Sequence, residues 1–132
     1  MTDNQITAIT KGAFVALKSI HVLNFASNKI RHVDQSAFLS NEKLRAIRLD
    51  SNALEDISSA FTSLSSLVLL NVSNNNINGN YFDVTSQLRI NYLDVSNNKI
   101  RKVKNDLIPK NITTINLSNN LIDEIPSGTF FK

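Results

Sequence analysis

The chain of 132 residues contains no cysteine and only three glycines. Without cysteine there is no disulfide framework and no thiolate ligand for a structural zinc. Gly12, Gly79 and Gly128 are isolated from one another and form no phosphate-binding loop. No stretch approaches the roughly 18 consecutive apolar residues of a membrane span. The opening MTDNQITAIT lacks the basic start and apolar run of a signal peptide. His21 and His32 have no second histidine at ligand spacing, so each reads as a solvated side chain and no metal site is expected. Fourteen basic residues against eleven acidic give a net charge of +3, too mild to point to nucleic acid or a membrane surface.

What the chain does have is a period. Asn4, Asn28, Asn52, Asn75, Asn98 and Asn120 are spaced 24, 24, 23, 23 and 22 residues apart, each with an aliphatic residue two positions later. Five of them follow the pairs Leu23-x-Phe25, Ile47-x-Leu49, Leu70-x-Val72, Leu93-x-Val95 and Ile115-x-Leu117. The alternation of apolar and polar residues in these pairs is that of a short strand with one buried face. A chain turning inside a coil after such a strand points backbone groups into an apolar interior. An amide side chain can both donate to them and accept from them, so the six asparagines are expected to form a structural ladder.

The resulting frame, LxxLxLxxNxL, resembles the leucine-rich repeat family over essentially the whole chain, with LNFASNKI, IRLDSNAL, LNVSNNNI, LDVSNNKI and INLSNNLI in one register. The resemblance implies an α/β repeat fold: a solenoid or horseshoe segment of about five to six coils, one domain over residues 1–132, with short parallel strands on the concave face and irregular convex returns. Ile9, Val33, Ile57, Val103 and Ile125 lie five positions beyond their asparagines, and Phe14, Phe38, Phe61 and Phe130 about ten beyond. This length and this phenylalanine are similar to the typical extracellular subclass, whose ends are usually closed by disulfide caps. The absence of cysteine also fits a cytosolic protein. However, Asn4, Ile6, Ile9 and Phe14 belong to a coil whose strand would precede Met1, and IPSGTF opens a return whose leucines would follow Lys132. Both ends are therefore expected to be truncated, exposing Ile6, Ile9 and Phe14 at one and Ile122, Ile125, Phe130 and Phe131 at the other.

One coil departs from the frame. After Asn75 the expected aliphatic position falls on Asn80, leaving Phe82 or Val84 to fill the core place with Gly79 permitting the bend. In the next return Leu107 or Ile108 replaces phenylalanine, and Pro109 fixes the entry to a strand. LNVS, the Phe82-Asp83 return and Ile108-Pro109 together resemble insect Toll-type receptor ectodomains; small matrix proteins of the family share the Ile-Pro feature.

No residue constellation points to an enzyme. Ser27, Ser51, Ser73, Ser96 and Ser118 recur with the repeat, and none has a histidine placed to activate it. Binding is what remains. The outward strand positions form three columns: Val22, Ala46, Leu69, Tyr92 and Thr114; Asn24, Arg48, Asn71, Asp94 and Asn116; Ala26, Asp50, Ser73, Ser96 and Ser118. The first is apolar for a solvent-facing row, and Val22, Asn24, Arg48, Asp50, Leu69, Tyr92 and Asp94 are candidate contacts for a protein ligand or co-receptor. Isolated apolar surface residues also need no special explanation. Asn71, Asn111 and Asn116 begin acceptor sequons for N-glycosylation. Arg89, Lys99, Arg101, Lys102, Lys104 and Lys110 form a basic edge, either solvated or a site for a polyanion. The expected role is protein recognition without a cofactor, at the cell surface as part of a Toll-like receptor ectodomain. A secreted matrix or adhesion protein and an intracellular scaffold are the alternatives.

Overall fold

The computed structural model describes residues 1–57, 60–78, 88–103 and 108–130. Among the described residues seven short strands run in chain order: β1 (Ala8–Ile9), β2 (Val22–Asn24), β3 (His32–Val33), β4 (Ala46–Arg48), β5 (Leu69–Asn71), β6 (Tyr92–Asp94) and β7 (Thr114–Asn116). Strands β2, β4, β5, β6 and β7 form a five-stranded parallel sheet in that order, so every coil contributes one strand beside the last. Parallel neighbours need a crossover, and here one coil of 22 to 24 residues supplies it. The pairing sets Leu23 against Ile47, Ile47 against Leu70, Leu70 against Leu93 and Leu93 against Ile115. Leu23, Ile47, Leu70 and Leu93 are buried and form the inner row of the core. A second, two-stranded sheet pairs β1 with β3 where the chain leaves the concave face.

Each strand ends in a corner that the asparagines fill. Oδ1 of Asn28, Asn52, Asn75, Asn98 and Asn120 accepts the backbone N–H of Ile6, Ile30, Leu54, Ile77 and Ile100, always in the preceding coil. The Nδ2 groups reach carbonyls on both sides: that of Asn98 donates to Val72 of the preceding coil and to Val95 and Ser96 of its own. The same pattern holds for Asn52 and Asn75. Asn4 is the correction. It is exposed, and its Nδ2 donates to Thr2 two residues away, because within these residues no earlier coil offers it a rung.

The residue before each asparagine is left-handed: Asp3, Ser27, Ser51, Asn74, Asn97 and Asn119 all have φ between 53° and 59°. Bending the backbone there lets the next side chain point inward. Asn and Asp tolerate that region through local hydrogen bonds, whereas Ser pays more strain.

Phenylalanines span the gap between sheet and returns. Phe14 and Phe38 stack at 5.6 Å, and Phe38 and Phe61 at 6.0 Å, forming a column perpendicular to the coils. Ile108 is buried in the return that lacks a phenylalanine. Leu107, Gly79, Phe82, Val84, Lys104 and Phe131 lie outside the described residues. The two ends differ, contrary to the sequence expectation. Ile9 and Phe14 are buried, because β1 is paired and Phe14 packs against Phe25 and Phe38, whereas Ile125 and Phe130 are about half exposed at 51% and 52%. Near the N-terminal end Asn41 is fully buried in a return, donating to the carbonyls of Phe14 and Leu17 at 3.1 and 3.0 Å.

Candidate functional site

Strand register sets up the first two of the three columns, whereas Ala26, Ser73 and Ser96 of the third are buried rather than outward. Val22, Ala46, Leu69, Tyr92 and Thr114 are successive partners, as are Asn24, Arg48, Asn71, Asp94 and Asn116. In the first column Val22 is 60% exposed and Tyr92 37%, with Ala46 and Leu69 half-buried between them. The aliphatic members carry no polar atom to satisfy, and the Tyr92 hydroxyl donates to Oδ2 of Asp94 at 3.5 Å.

The second column is polar but largely committed to its own coil. Oδ1 of Asn24, Asn71, Asp94 and Asn116 each accepts the backbone N–H two residues on, at Ala26, Ser73, Ser96 and Ser118. These are local turns that hold the strand end in place. Asp94 is buried, although it was a candidate contact. Its carboxylate also accepts from the hydroxyl of Ser96 at 2.7 Å and from Nδ2 of Asn116 at 3.3 Å. Arg48 joins Asp50 across a two-residue step, with Nε to Oδ1 at 3.0 Å. The hydrogen bond to Asp50, and then its charge, raise the guanidinium pKa above its ordinary value. The Arg48 side chain is 49% exposed, so the pair contributes roughly 0 to 1 kcal/mol and leaves little free charge of either sign.

The basic residues do not form one edge. Arg89 and Lys110 precede β6 and β7, on the descending side where the chain comes back to the concave face. Lys99, Arg101 and Lys102 follow Asn98 on the opposite, ascending side, where the backbone of Lys102 pairs in parallel with that of Glu124. Closeness in sequence had merged two flanks separated by the width of the sheet.

Of the three sequons, Asn111 is exposed in a turn closed by the Ile112 N–H to the Pro109 carbonyl, with the Thr113 hydroxyl donating to the Asn91 carbonyl at 3.0 Å. Asn71 and Asn116 lie on the concave face and are half-buried. A depression of about 410 Å³ on the descending flank is lined by Lys18, Ser19, Leu39, Ser40, Glu42 and Lys43. Among the described residues no three His, Asp or Glu side chains gather as metal ligands, and no helix is long and apolar enough to cross a membrane.

The comparisons agree with this geometry. A family profile described as leucine rich repeat matches residues 1–54 and 23–77, and a second matches 111–132. Leucine-rich repeat-containing G-protein coupled receptor 4 of Rattus norvegicus is 33% identical over 118 residues, covering 87% of this chain and 12% of the receptor. Toll-like receptor 7 of Drosophila melanogaster is 34% identical over 105 residues, 61% of this chain and 7% of the receptor. The chain thus spans a small part of the length of these relatives. Among solved structures, the Drosophila Toll–Spatzle complex superimposes with a TM-score of 0.79 at 29% identity, over 92% of this chain and 18% of that one. An internalin of Listeria monocytogenes gives 0.72 at 28% identity, over 96% of this chain and 37% of that one. With its parallel sheet, its asparagine rungs and these relatives, the chain belongs to the leucine-rich repeat family.

Proposed function

We propose that this chain is a protein-recognition module of a receptor ectodomain, Toll-like in kind, working on the extracellular side in innate immunity or development. The observation that carries the reading is the apolar first column, with Val22 and Tyr92 exposed, beside a polar second column that is already hydrogen-bonded. A rigid strip of this kind buries apolar area on a protein partner without ordering anything of its own. The likeness to Toll supports it, since that neighbour was solved bound to Spatzle, in a glycosylated form. No described residue is arranged for catalysis, and the partner is a protein ligand or co-receptor rather than a nucleic acid. A secreted matrix or adhesion protein would use the same face. The gene sequence flanking these residues separates the two, through a membrane span with a cytoplasmic signalling domain or a stop.

The setting is tested by expressing the chain through a eukaryotic secretory pathway and mapping glycopeptides. Asn111 is expected to carry sugar first, because it is exposed in a turn, whereas Asn71 and Asn116 hold strand ends. Secreted material with all three sites bare would remove the extracellular reading.

A further inference from the structure

The two edges of the concave sheet differ in charge, and the difference falls beside the apolar column. On the descending edge, the four residues before each of β2, β4, β5, β6 and β7 include Lys18, Lys43, Arg45, Arg89 and Lys110 against a single acid, Glu42. On the ascending edge the two signs balance: the described residues following the asparagines carry Lys29, Arg31, Lys99, Arg101 and Lys102 against Asp34, Glu55, Asp56, Asp123 and Glu124, with Arg31 and Glu55, Arg101 and Asp123, and Lys102 and Glu124 at equivalent places on neighbouring coils. Parallel strands about 4.8 Å apart bring such neighbours within a Debye length of each other.

The backbone places the descending edge directly against the first column. The N–H groups of Arg45, Val68, Asn91 and Thr113 bond the carbonyls of His21, Arg45, Val68 and Asn91, so these residues form a row of their own, one position before Val22, Ala46, Leu69, Tyr92 and Thr114. Val68, 40% exposed in that row, extends the apolar strip of Val22, Leu69 and Tyr92 toward Arg45 and Arg89. Farther into the concave face, Arg48 is paired with Asp50 and Asp94 is buried in its own bonds. Among the described residues, positive charge without an ion-pair partner and exposed apolar surface therefore meet along one line.

Resting on the protein-recognition reading above, we propose that the partner docks along this descending edge and is an acidic protein segment bearing apolar side chains. Its carboxylates lie against Arg45 and Arg89, and its apolar groups cover Val22, Val68, Leu69 and Tyr92. A polysaccharide polyanion would use the cations and leave the apolar strip in water, so the strip favours a protein.

The test uses the full 132-residue chain and fluorescence anisotropy with two labelled probes: a synthetic peptide alternating Glu with Leu and Tyr, and polyglutamate. The peptide should bind, and the Arg45→Glu/Arg89→Glu double reversal should weaken it about tenfold or more, with less effect at high salt. Arg31→Glu/Arg101→Glu on the other edge should leave it within about twofold. Val22→Ser/Val68→Ser, both exposed and checked for unchanged melting, should weaken the peptide and leave polyglutamate unchanged. The proposal is overturned if the peptide does not bind, if the two edges respond alike, or if the peptide and polyglutamate bind equally with no loss in the valine variant, the behaviour of a polyanion site. Glycopeptide mapping decides the extracellular setting independently, so either reading can fail while the other stands.

Discussion

Replacing Asn98 by alanine removes one rung of the ladder from the middle of the solenoid. Asn98 is buried; its Oδ1 accepts the Ile77 N–H at 2.9 Å, and its Nδ2 is shared among the carbonyls of Val72, Val95 and Ser96 at 3.0 to 3.1 Å. Two amide hydrogens serve three carbonyls, so the rung amounts to about three hydrogen bonds rather than four. Alanine leaves the Ile77 N–H and at least two carbonyls without partners, at a site water does not reach. An unpaired buried group costs about 1 to 3 kcal/mol, less for a carbonyl with a second lone pair in use, which places the total at roughly 3 to 6 kcal/mol. Against a domain stability of about 5 to 15 kcal/mol, the melting temperature should fall by on the order of 10 °C or more. Asn98→Asp keeps the acceptor but sets a carboxylate against three carbonyl oxygens, and should be no more stable. Two further positions calibrate the scale. Asn120, half-buried, should lose only about 1 kcal/mol on truncation because water replaces part of its rung, and Asn4, exposed, should change by less than about 0.5 kcal/mol. The measurement is a set of urea and thermal melts of the 132-residue chain, read by circular dichroism. An Asn98→Ala variant that melts with the parent, or an Asn4→Ala variant that falls as far, would refute the buried-ladder energetics.

Two other perturbations follow from the packing. Ser27→Asn and Ser51→Asn should each stabilise by about 0.5 to 1 kcal/mol, since the later coils place Asn74, Asn97 and Asn119 at the same left-handed corner; a lower midpoint in urea would contradict the strain argument. Phe38→Ala, at the centre of the aromatic column, should destabilise by about 3 to 5 kcal/mol, whereas Phe130→Ala at the exposed end should cost under about 1 kcal/mol; equal losses in a denaturant titration would mean that the column is not continuous.

Much of the fold was legible because the repeat states its own register. Once Leu23, Ile47, Leu70, Leu93 and Ile115 are aligned, strand order, parallel direction and the outward columns follow together. Other features could not be seen at that level. The left-handed corner falls on serine in some coils and asparagine in others, so its common φ left no single letter to read. Asp94 looked like a solvent-facing charge because column position says nothing about what Ser96 and Asn116 do with their donors. The small-polar residue two after each column-two Asn or Asp was the available signal for those local turns. The basic cluster failed for a geometric reason. Residues 89 to 102 pass from one edge of the sheet, across the concave face, to the other, so neighbours along the chain are not neighbours on the surface.

The rungs touch only the corner of one coil and the corner of the next, never the return between them. Asn98 makes its full set of bonds to Ile77 and Val72 although the intervening return has lost the aliphatic spacing of the others, and the bonds persist while the repeat shortens from 24 to 22 residues. Gene-level insertions and deletions in the convex segments can therefore accumulate while the corners stay aligned. A lineage can lengthen, shorten or redecorate the back of such a molecule one coil at a time, and the row of side chains on its front stays in step.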